Sequence, residues 1–121
     1  MKYLRNNPFF KYAPILLFIS YSISVFGYDP YDCLNDVARL DSDIPIGLAT
    51  ELCSGAWSPE PVKCYAGISL LDEEIPRGIA IDLCAGSVNA EKTLECYAKG
   101  GSYELNRGLA TTLCGANKTK N

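Results

Sequence analysis

The chain has 121 residues, 11 Lys+Arg against 14 Asp+Glu, six cysteines and no histidine, for a formal charge of −3. The absence of histidine removes the commonest general base and the main imidazole metal ligand. The acidic balance disfavours nucleic acid, whose phosphates are bound through Lys and Arg.

Residues 1–27 read as a secretory signal peptide. Lys2, Arg5 and Lys11 precede an apolar run from Ala13 to Phe26, and Val25 and Gly27 stand before a cut at Tyr28. The run is about 14 residues, short of the ~20 that span a bilayer. No membrane association is therefore expected after cleavage. Loss of those three basic residues takes the basic count from 11 to 8 against 14 acidic, a formal charge of −6. The expected location is secreted or periplasmic.

Residues 28–116 form a cysteine-rich repeat domain. The phrase Gly47–Cys53, GLATELC, returns as GIAIDLC at Gly78–Cys84 and GLATTLC at Gly108–Cys114. Similarity extends upstream and defines units 29–56, 60–87 and 92–116, each with one early and one late cysteine. Self-similarity at about 31 residues is the mark of stacked supersecondary units. The fold class expected is all-α: three tandem disulfide-stapled helix hairpins, six short helices in all.

The first helix of each unit enters at a capping signal: Asp29-Pro30, Ser58-Pro59-Glu60 and Asn89-Ala90-Glu91. Val62, Tyr65, Ile68 and Leu71 then recur at helical spacing. In the third unit Gly100-Gly101 ends this helix early. The second helix of each unit carries the rows Ile44/Leu48/Leu52, Ile75/Ile79/Leu83 and Leu105/Leu109/Leu113. Each is one i, i+4, i+8 stripe, predicted to be buried along about three turns. Pro45 and Pro76 fall in its first turn, and Ser54-Gly55, Ala85-Gly86 and Gly115 close it. Ala49, Ala80 and Ala110 share the face of the late cysteine. Gly47, Gly78 and Gly108 are expected to admit a neighbouring helix at short range.

About 30 residues cannot bury enough apolar surface to fold alone, so stacking and disulfides must compensate. Two connectivities respect the repeat. Bridges inside units join Cys33–Cys53, Cys64–Cys84 and Cys96–Cys114; bridges between units join Cys53–Cys64 and Cys84–Cys96, stranding Cys33 and Cys114 or joining them end to end. The first scheme is preferred because it orphans no cysteine.

Catalytic equipment is not evident: no catalytic residue, cofactor or metal site is assigned. No two cysteines lie close enough for a zinc motif. Asp41 and Asp43, or Asp72, Glu73 and Glu74, offer oxygen ligands for weak Ca²⁺ binding or a carboxylate pair. The simpler role for them is to cap the second helix and favour its N-terminus. Tyr65 and Tyr97 follow the early cysteines, with Leu34 at the matching place, as packing against a disulfide would require. Trp57, the sole tryptophan, sits between units, either as an exposed interface anchor or folded back onto the core. Asn117-Lys118-Thr119 matches a glycosylation sequon within a polar tail, 117–121, expected to fray.

These features point to a non-catalytic exported binding or structural module whose partner is an unknown protein. The alternatives are a carrier for a small apolar, lipid-like ligand, and a thiol redox protein or other enzyme, which needs a free cysteine.

Overall fold

The computed structural model describes residues 27–116. The expected tail 117–121 and all but the last residue of the expected signal peptide lie outside them. Six α-helices are present, with no strand among the described residues: α1 (Pro30–Leu40), α2 (Ile46–Cys53), α3 (Glu60–Leu71), α4 (Arg77–Cys84), α5 (Ala90–Lys99) and α6 (Arg107–Cys114). A 3₁₀ turn, Gly100–Tyr103, follows α5 where the paired glycines begin.

Local chemistry explains the starts. Asp29 accepts from the backbone N–H groups of Tyr31 and Asp32, while Asp32 accepts from that of Asp29, a reciprocal capping box. Asn89 caps α5 through the N–H of Lys92, and Asn106 caps α6 through that of Leu109. The helix α3 begins one residue later than the sequence suggests. Pro59 is its N-cap, and Ser58 Oγ accepts weakly from the Glu60 N–H at 3.4 Å. Pro45 and Pro76 likewise stand just outside α2 and α4 as N-caps, so these helices have eight residues and about two turns, shorter than the three predicted. Gly55 and Gly86 adopt positive φ (70° and 82°) immediately after α2 and α4, the left-handed exit that glycine permits.

Packing is two-layered. The odd-numbered helices α1, α3 and α5 lie side by side in one row, and α2, α4 and α6 in the other. Consecutive helices pair across the layers and each pair is bridged: Cys33–Cys53 joins α1 to α2, Cys64–Cys84 joins α3 to α4, and Cys96–Cys114 joins α5 to α6. The Cα–Cα separations of 5.6, 5.5 and 5.7 Å are ordinary for disulfides. The core runs between the layers and includes Val37, Leu52, Ile68, Ile81 and Leu83, with Tyr65 and Tyr97 beside the cysteines they follow. Ala49, Ala80 and Ala110 are all buried within it.

Two expectations fail. The apolar row of the last helix is not buried: Leu109 and Leu113 are exposed, whereas their counterparts Leu48 and Ile79 are half-buried and Leu52 and Leu83 fully covered. Among the described residues α6 is the last helix of its row and has a neighbour on one side only. The glycines that open the repeated phrase also do not admit a neighbour. A Cβ at Gly47 or Gly78 would meet nothing within 4 Å, and at Gly108 only the cap oxygen of Asn106. All three face solvent on the side of Glu51, Asp82 and Thr112, four residues on. Close approach is made elsewhere. A Cβ at Gly115 would lie 2.9 Å from the carbonyl oxygen of Asp82, so the end of α6 rests directly on the backbone of α4. A Cβ at Gly100 would lie 3.0 Å from that of Ala110.

Candidate functional sites

The polar loops form a pair of inter-helix clamps. Each of α1 and α3 ends at an aspartate, Asp41 and Asp72, whose backbone N–H closes the last turn onto Val37 and Ile68. This leaves the carboxylate pointing past its own helix toward the next pair. Asp41 receives Arg77 bidentately, from Nε at 2.8 Å and Nη2 at 2.7 Å, together with the phenol of Tyr65 at 2.7 Å. Asp72 receives Arg107 through the same two nitrogens, both at 2.7 Å, and the phenol of Tyr97 at 2.8 Å. The fork geometry of guanidinium on carboxylate fixes orientation as well as attraction.

Electrostatics follow from that geometry. The Arg107 guanidinium, with smaller help from the Tyr97 hydroxyl, holds the Asp72 carboxyl down to about 2. Arg77 lowers Asp41 in the same direction. Burial, and then the adjacent carboxylate, pushes both phenols upward, Tyr65 beside Asp41 and Tyr97 beside Asp72. Such tyrosines are neutral donors at neutral pH, unsuited to act as bases or nucleophiles. Both arginines are nearly half exposed, so solvent screens the pairs and they set register more than they stabilise.

The sequence-derived roles for these carboxylates are therefore corrected. Asp41 and Asp72 do not cap α2 and α4; they end the preceding helices and clamp the following pair. No N-terminal side-chain cap is found on α2 or α4. Among the described residues no group of three acidic or cysteine side chains converges as a metal site would require. Arg77 and Arg107 were not singled out by sequence reasoning. A signal existed: the units that carry Arg before the phrase and Tyr after the early cysteine are those preceded by a unit with this aspartate.

All six cysteines are bridged, so no thiolate stands ready as a nucleophile. The three bridges fit an oxidising compartment. No described helix is long and apolar enough to cross a membrane.

Trp57 is exposed, with 72% of its surface open, in the turn between α2 and α3. Val88, in the matching turn between α4 and α5, is 85% exposed. The two turns border a groove of about 240 Å³ lined also by Ser54, Pro61, Gly86 and Ser87. A larger groove, about 380 Å³, opens beside the second clamp, between Leu71, Asp72, Tyr97 and Arg107. Comparison with family models, with curated proteins and with solved structures finds no match.

Proposed function

We propose that the chain is an exported array of three repeated helix pairs that works as a non-catalytic binding or structural module. The basic, then apolar, N-terminal segment and the three bridges support export. The duplicated clamp, Asp41–Tyr65–Arg77 and Asp72–Tyr97–Arg107, supports the repeat, because both junctions use the same residues in the same register.

One observation carries the binding role: a solitary tryptophan exposed beside an exposed valine at the rim of a groove. An indole left in water at this place gains most by being covered, and tryptophan is the side chain most enriched at interface centres. The occupant expected is a protein surface that sheathes Trp57 and Val88. Crosslinking in the native compartment tests this. A partner captured by the unmodified chain and lost with Trp57→Ser supports the assignment, and equal capture by both excludes Trp57 as the anchor. A rise in melting temperature on adding fatty acids or sterols, unaffected by Trp57→Ser, is the result that would favour a carrier instead.

A further inference from the structure

We infer that the array associates head to tail with a second copy of itself, the exposed face of α6 docking on the exposed face of α1–α2. This rests on the repeat equivalence of the helix pairs and is independent of Trp57.

Within the chain, each junction of the even-numbered row buries two kinds of side chain. The earlier helix contributes Leu52 or Leu83, both fully buried, with Leu48 or Ile79 half-covered. The later helix contributes Ile81 or Thr111, also buried. At the two ends each kind is left without its counterpart. On α6, Leu109 is 55% and Leu113 68% exposed, and Tyr103, which lines a groove with Leu113, is exposed too. On α2, Thr50, which corresponds to Ile81 and Thr111, is exposed. One end of the array therefore presents the earlier half of a junction, and the other end the later half.

The two halves match in composition. From the glycine onward α2 reads GLATELC and α6 reads GLATTLC, so a second copy's α2 offers the same threonine that is already buried on α6. A groove of about 180 Å³ lies on that face, lined by Tyr31, Leu34 and Thr50. Its size suits entering leucine side chains.

At the receiving end Leu34 and Ile46 stand where the tyrosine and arginine of the clamp would be, while at the other end Glu104, whose backbone N–H closes onto Gly100 as that of Asp72 closes onto Ile68, keeps a carboxylate at the aspartate position. Ile46 is 73% exposed. The receiving face thus brings no guanidinium of that position into a junction between copies, and the docking end carries its carboxylate, Glu104, in an exposed turn. A contact between unlike faces is heterologous and continues into chains unless it closes as a ring.

Sedimentation velocity over a concentration series decides. The purified protein is expected to grow in mass past the dimer as concentration rises. Leu113→Asp, which blocks one end, and Ile46→Asp, which blocks the other, should each be monomeric, with unchanged far-UV circular dichroism. Mixed in equal amounts they should form a dimer and stop there, because each retains the end the other lacks. A wild-type protein monomeric at every concentration overturns the inference, as does association by either variant alone or a mixture that stays monomeric.

Discussion

Leu83 and Leu113 hold the same place in the repeated phrase but opposite environments, and truncating each to alanine separates sequence pattern from packing. Leu83 is fully buried, with α6 lying over it so closely that a Cβ at Gly115 would sit 3.7 Å from its Cα. Leu→Ala removes three carbons, about 2.4 kcal/mol of transfer free energy at ~0.8 kcal/mol each. A further 1–2.5 kcal/mol or so is expected for the cavity, since the cysteines bridged on both sides restrict collapse. Leu83→Ala should therefore cost about 3–5 kcal/mol. Leu113 is 68% exposed, so about a third of the transfer term applies and no closed cavity forms. Leu113→Ala should cost less than ~1 kcal/mol. Urea unfolding of the oxidised proteins, followed by far-UV circular dichroism at dilute concentration, measures both. Dilution matters because any association through α6 would add apparent stability to the wild type by mass action. Equal costs at the two positions would refute the layered packing from which the difference is worked.

Substitution at the glycines should divide in sign. Gly78→Ala, in open space on α4, should raise stability by about 0.5–1 kcal/mol, while Gly115→Ala should lower it because the new Cβ meets two backbone carbonyls within 3 Å; thermal melts compare the two. Acid should loosen the clamps. Asp72 has its pKa depressed in the fold, to about 2, so its contribution is complete above the ordinary unfolded value near ~3.9 and is lost as pH falls through about 2. Tyr65 and Tyr97 are raised, so their contribution is present below ~10 and fades as pH rises beyond it. Stability measured against pH should show a plateau between these limits, and Asp72→Asn should flatten its acid edge; an acid edge unchanged by that substitution would contradict the assignment.

Much of the fold was legible because its signals are local. Asp29 and Asn89 announce helix starts within three residues, Gly55 and Gly86 announce exits, and the alanines four residues before a cysteine fall on its face. What escaped was relational. The clamp joins Asp41 to Arg77 and Asp72 to Arg107, 36 and 35 residues apart, and a pattern read inside one unit does not contain it. Leu113 escapes for the same reason: the phrase is alike at Leu52, Leu83 and Leu113, but burial depends on whether another helix packs over it. At Gly47 and Gly78 the small residue does not mark a close neighbour, and Glu51 and Asp82 four residues later mark that face as solvated. Whether Trp57 stood in water or in the core had no sequence signature, since a turn residue can fold either way.

The central claim is that sulfur bridges compensate for a core too small to hold six short helices together. Each closes a loop of 18 or 20 residues, for about 3 kcal/mol in the chain-entropy model. Together they rival the ~5–15 kcal/mol that stabilises a typical domain. Reduction and alkylation of the purified protein, followed by far-UV circular dichroism across a thermal scan, measures this. The account predicts loss of most helical signal and of any cooperative transition. Retention of full helicity and an unshifted melt after all six thiols are blocked would contradict it.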